Sequence, residues 1–86
     1  MTTREETAAS ATLPAAIRAA WRSALGTEFD GDADFFALGG DSLAALSIAA
    51  KLEESLGFRV GLRVLFEHPR LDDYIDEVAR IAKEAW

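Results

Sequence analysis

Apolar residues recur at helical spacing in three stretches of this 86-residue chain, and no two stretches offer strands that could pair. Leu13, Ile17, Ala20, Trp21, Ala24 and Leu25 fall on one face of a 3.6-residue repeat. Pro14 suits a first-turn position and Gly26 a stop, which predicts a helix over 13–25. A second helix runs from about Ser42 to Leu56, where Gly57 ends it. Leu71, Ile75, Val78, Ile81, Ala82 and Ala85 define a third, over about 71–85. Asp72, Asp73 and Asp76 near its start suit the positive end of the helix dipole. In "FRVGLRVLFEHP", Gly61 breaks the pattern and Pro69 closes it, leaving room for one or two helical turns around Val64–Glu67. Phe58–Val60 could pass for a strand, but it has no partner in the chain. The fold class is therefore all-α: a small four-helix bundle of three main helices and one short one.

A chain of this length buries only about 60–65% of the surface its unfolded form exposes, so the core is small. Residues 1–12 are polar and aperiodic and read as a flexible tail before a domain over 13–86. The loop "GTEFDGDADFFALGG" is too rich in Gly and Asp for a regular element until Phe35 and Phe36. Two adjacent phenylalanines are costly to expose, so at least one, within a helical turn at 34–37, is expected to plug the core.

Composition excludes several functions. Cysteine is absent and His68 is the lone histidine, so there is no disulfide framework, thiolate zinc site or histidine cluster, and no metal site is expected. The formal charge is −6, from 15 acids against 9 bases. Five of the acids (Glu28, Asp30, Asp32, Asp34 and Asp41) lie between Arg22 and Lys51 with no base among them. Such a field repels nucleic acid and favours basic protein partners, and it equally solvates a small surface. No apolar run is long enough to span a bilayer, and the first residues lack the apolar centre of a secretory signal. The reading is a soluble, cytoplasmic, monomeric protein that binds no membrane.

The stretch "FFALGGDSLAAL" at 35–46 places Ser42 where a loop becomes a helix. From Ser42, at about 100° per residue, Ala45, Ile48, Ala49, Leu52 and Leu56 form one apolar stripe. Leu43, Leu46 and Ala50 form another, about a third of a turn away, with Ser42 between the two. The second stripe is either a contact surface beside the serine or buried against a different neighbour. Gly39 and Gly40 leave the approach to Ser42 free of side chains, and the unpaired N–H groups of a first helical turn attract anions. Asp41 opposes an anion there unless it is itself the N-cap or meets a cation on a partner. The pair Asp41-Ser42 opening a helix is equally ordinary capping.

Three motif likenesses fail on context. G-D-S-L-A approaches the G-x-S-x-G nucleophile elbow, which needs a strand of a large sheet and a distant histidine and acid. "DGDADF" starts like a calcium loop, yet Phe35 stands where its turn glycine belongs and Asp41 where a bidentate glutamate is expected. The glycine pair lacks the Lys-Ser/Thr of a phosphate-binding P-loop.

With these residues in order, the chain resembles the peptidyl carrier, or thiolation, domains of nonribosomal peptide synthetases. The resemblance rests on "DFFALGGDSLAAL" at 34–46, "LEESLGFRV" at 52–60 and "LRVLFEHPRLDDYIDEVA" at 62–79, and covers about residues 13–84. It implies that Ser42 covalently holds 4′-phosphopantetheine, delivered from coenzyme A by a phosphopantetheinyl transferase with magnesium, flanked by Gly39, Gly40, Asp41 and Leu43. It further implies a carrier with no turnover of its own, loaded with an amino or aryl acid by an adenylation domain. Condensation, epimerisation or thioesterase domains and tailoring enzymes would then act on the cargo. The recognition surface would comprise Leu43, Leu46 and Ala50 with Val64, Leu65 and Phe66; the residues of the short segment belong either there or to the core.

Two departures stand out. Asp41 occupies a position where many peptidyl carriers have histidine, and Arg70 one where the family often has threonine or serine, so a different cap is expected for the last helix. "DSL" is also the signature of acyl carriers for fatty-acid and polyketide intermediates, which is the nearest alternative. A helical protein-interaction domain without a prosthetic group is the alternative from another class.

Overall fold

The computed structural model describes residues 12–85. It contains α1 Thr12–Leu25, α2 Ser42–Leu56, α3 Leu62–Glu67 and α4 Leu71–Ala85, with no strand among the described residues. The all-α, four-helix expectation holds. Phe58–Val60 is not a strand; Val60 is instead a buried plug between α2 and α3. The tail expected over 1–12 lies outside the described residues except for Thr12, which opens α1.

The first two helices end where their sequence tells them to. Pro14 is the third residue of α1, where the missing N–H has no helical acceptor to lose. Gly26 closes α1 at φ 68, its N–H donating to the Arg22 carbonyl at 2.8 Å. Gly57 closes α2 at φ 82 with its N–H on the Glu53 carbonyl.

α1 packs chiefly along α2, α4 lies against α1 and α3, and α3 bridges α2 and α4. The core centres on Trp21, which is fully buried with the rings of Phe29, Phe35 and Tyr74 at 5.9, 5.7 and 5.9 Å around it. The edge-on contacts with Phe29 and Phe35 add to the burial itself, and Tyr74 lies tilted against the indole. The indole Nε1 of Trp21 has no hydrogen-bond partner, so this site trades one polar contact for packing.

On α4 the buried set is Leu71, Tyr74, Val78 and Ala82, with Ile75 only partly covered. Tyr74 displaces Ile75 from the expected face because its ring completes the cage around Trp21. Burial pushes its hydroxyl well above the usual phenol range.

The loop before α2 is pinned to the start of α4. Phe35 N–H donates to the Pro69 carbonyl at 2.8 Å. The Leu71 and Asp72 N–H groups donate to the carbonyls of Ala33 and Gly31 at 2.9 and 3.0 Å. Loop carbonyls therefore satisfy first-turn donors of α4 that a serine or threonine would otherwise cap. Asp72 Oδ1 accepts the Asp73 N–H at 2.8 Å, and Arg70 donates to Asp72 Oδ2. The different cap expected from Arg70 is this set of bonds.

Candidate functional site

The start of α2 is built by a tight turn over Phe35–Gly39. Asp34 begins it, its carboxylate accepting the Ala37 N–H at 2.9 Å and its carbonyl the Leu38 N–H at 3.0 Å. Phe35 points inward and is fully buried, while Phe36 points out and is 48% exposed. Gly39 then takes φ 91, a left-handed conformation that reverses the chain at little cost only for glycine. Gly40 is required for another reason: a Cβ there would overlap the Phe35 ring at Cζ, Cε1 and Cε2. One glycine of the pair keeps the approach to α2 open; the other lets the plug seat beneath it.

Asp41 is the N-cap of α2, with φ −140 and its Oδ1 accepting the Ala44 N–H at 2.9 Å. Capping thus falls to Asp41 rather than Ser42. Ser42 is the first helical residue; it is exposed and its hydroxyl makes no hydrogen bond within the described chain. The N–H groups of Ser42 and Leu43 also lack an acceptor there, so two donors of the first turn stay available. A free hydroxyl beside unpaired amides at the positive end of a 15-residue helix fits a phosphodiester: the oxygen is accessible and the negative charge has donors to meet.

The two stripes of α2 separate, with Ala49 of the first only half-buried. Ala45, Ile48, Leu52 and Leu56 are buried, whereas Leu43 is 76% exposed, Leu46 is 56% exposed and Ala50 is exposed. The open alternative resolves toward a free apolar surface beside Ser42. Phe66 on α3 is also exposed and stacks on Phe36, ring centroids 6.0 Å apart. Val64 is partly buried. Leu65 is a correction: at 1% exposure it belongs to the core, because a six-residue helix seated on α2 and α4 must turn one side chain inward, and that side chain is Leu65. Phe36 was missed. Its signal was the phenylalanine pair itself, since neighbours in a tight turn cannot both face the core.

The motif likenesses do not materialise. Ser42 follows a turn rather than a strand, so no nucleophile elbow forms. The Asp34 carboxylate is engaged by the Ala37 N–H, and no group of three His, Asp or Glu side chains among the described residues is placed to hold a metal. His68 sits at the C-cap of α3. No described helix is long and apolar enough to cross a membrane.

Comparisons with known proteins identify the family. The family described as "Phosphopantetheine attachment site" matches residues 15–78. The chain is 38% identical over 66 residues, 76% of its length, to a linear gramicidin synthase protein of Brevibacillus parabrevis. It spans only 1–2% of the length of such curated relatives, which are very large proteins. Among solved structures it is similar to BlmI, a type-II acyl carrier protein from Streptomyces verticillus involved in bleomycin biosynthesis: 32% identity, TM-score 0.76, 91% of this chain and 95% of that one. It is also similar to a nonribosomal PCP domain, at 36% identity and TM-score 0.65, over 73% of this chain and 82% of that one. The chain belongs to the phosphopantetheine attachment site family, a family of generally non-catalytic carrier domains, and is a carrier of the kind used in nonribosomal peptide synthesis, with 4′-phosphopantetheine as its prosthetic group.

Proposed function

We propose that Ser42 is the attachment residue and that residues 13–86 form a carrier domain holding aminoacyl, peptidyl or aryl groups for a nonribosomal peptide synthetase. The observation that carries this reading is the exposed, unbonded Ser42 hydroxyl at the first position of α2, with Asp41 doing the capping. In the attachment step the Ser42 oxygen forms a bond to the β-phosphorus of coenzyme A. The pyrophosphate bond breaks, adenosine 3′,5′-bisphosphate leaves, and the serine proton passes to a base of the phosphopantetheinyl transferase, with magnesium assisting. Once bound, the group supplies the thiol that this cysteine-free chain lacks and so carries acyl groups as thioesters.

The chain's own residues do the presenting. Gly39 leaves the approach open, the Ser42 and Leu43 amides would donate to the phosphate, and Leu43, Leu46 and Ala50, joined by Phe36, Phe66 and the partly buried Val64, would meet the enzymes in turn. Those partners are the transferase, the loading adenylation domain and downstream condensation, epimerisation, thioesterase or tailoring enzymes. The carrier works as a monomer in the cytoplasm.

Incubation with coenzyme A, magnesium and a promiscuous phosphopantetheinyl transferase, followed by intact mass measurement, tests the reading. One added phosphopantetheine per chain is expected. An unchanged mass overturns it.

A further inference from the structure

α3 is the helix least able to hold its own place. It has six residues, its N-cap Gly61 offers no side-chain bond, and its ion pair, Arg63 to Glu67 at 2.9 Å, lies within the helix itself. A helix so short is unstable alone, so its position is set by what its side chains touch. Leu65 anchors the inner side. On the outer side Phe66 lies against Phe36, the two rings 6.0 Å apart and only 19° from parallel.

Phe36 belongs to the turn that delivers the chain to Ser42. Its carbonyl accepts the Gly39 N–H at 3.0 Å, and its ring meets the Phe35 ring edge-on at 5.3 Å. Phe35 in turn packs on Trp21 and directly under the backbone at Gly40, two residues before Ser42. Three ring contacts therefore run without a gap from α3 through the turn to the core: Phe66 to Phe36, Phe36 to Phe35, and Phe35 to Trp21. Both α3 and the approach to Ser42 are referenced to this one aromatic row.

Neither Phe36 nor Phe66 fills the core, since both stay nearly half exposed. What their stack secures is the offset between α3 and Ser42. Resting on the reading of Ser42 as the attachment point and of α3 as part of the surface the enzymes meet, we propose that Phe36 is a positioning residue for phosphopantetheine transfer. By stacking on Phe66 it holds α3 in a fixed relation to Ser42, so that a transferase gripping α3 finds the serine oxygen aligned with the phosphorus of coenzyme A. Without the stack the grip remains and the alignment is lost. Misalignment of a bound nucleophile slows the chemical step and leaves binding largely unchanged. Leu43 and Leu46 lie on the helix that carries the serine and need no such tie.

The test is single-turnover phosphopantetheine transfer to the full chain at varied transferase concentration, which separates the saturated rate from the concentration that gives half of it. Phe36→Ala is expected to lower the saturated rate about tenfold and to move half-saturation by less than about twofold. Phe36→Tyr, which keeps a ring to stack, should restore the rate, and Phe36→Leu, which keeps only apolar bulk, should not. On a Phe66→Ala background, adding Phe36→Ala should change the rate by less than about twofold, because Phe36 then has nothing to act through. If near-ultraviolet circular dichroism finds Phe36→Ala misfolded, the leucine and tyrosine variants carry the same comparison. A raised half-saturation at unchanged rate makes Phe36 a direct contact and overturns the proposal. Unchanged kinetics, equal rescue by leucine and tyrosine, or a second full loss on the Phe66→Ala background overturn it too, all with the attachment reading intact. An unsubstituted chain that gains no mass removes the premise and overturns both.

Discussion

The two faces of α2 are built from the same kinds of residue and meet opposite fates. Leu52 is fully buried; Leu46, six residues earlier on the same helix, is more than half exposed. One face is what α1 and α3 close upon. The other keeps leucines in water beside an unbonded serine, and a chain with so small a core has little reason to forgo their burial unless that surface is used. Adjacent positions on one helix thus separate what holds the fold from what the fold is for.

Substitutions that respect or violate this division sharpen it. Leu52→Ala should cost about 2–5 kcal/mol in urea unfolding, since it empties a fully buried site. Gly40→Ala should cost about 1–3 kcal/mol, because the new methyl displaces the Phe35 ring from its seat against Trp21, and near-ultraviolet circular dichroism should register the disturbed aromatics. Leu46→Glu should change stability by less than about 0.5 kcal/mol and leave helical content intact. Yet it should lower kcat/KM for phosphopantetheine transfer about tenfold, equivalent to ~1.4 kcal/mol of lost contact. Global unfolding of Leu46→Glu would place Leu46 in the core and break the comparison.

The smallest effect belongs to surface electrostatics. The Arg70 hydrogen bond holds the Asp72 carboxyl below its ordinary value of 3.8. A lowered folded-state value stabilises fully above the ordinary value and is lost as pH falls through the lowered one. Asp72→Asn should therefore flatten the fall in urea midpoint below pH about 4 slightly and leave the curve near neutrality almost unchanged.

Much of this was legible in the sequence, and the exceptions have physical causes. Helix ends are local chemistry, so Gly26 and Gly57 announced them. The stripes of α2 were also visible as spacing, but which one faces out depends on where α1 and α3 pack, and periodicity does not carry that. Val64, Leu65 and Phe66 are three apolar neighbours on a single short helix; only its contacts with α2 and α4 decide that Leu65 turns in and Phe66 out. Tyr74 replaced Ile75 because a distant Trp21 needed a ring beside it. Gly40 read as open access because the ring that demands it is brought back by a turn. The capping of α4 by Gly31 and Ala33 carbonyls is likewise a long-range bond that no residue type near Arg70 signals.

The most direct measurement locates the phosphodiester by fragment mass spectrometry after transferase treatment. Ser23 and Ser55 are also exposed but sit in helices away from a first turn, so they are internal controls. The phosphopantetheine mass is expected on Ser42 alone, and none on the Ser42→Ala chain with its fold retained. Modification of Ser23, Ser47 or Ser55, or an undiminished mass gain in Ser42→Ala, would contradict it.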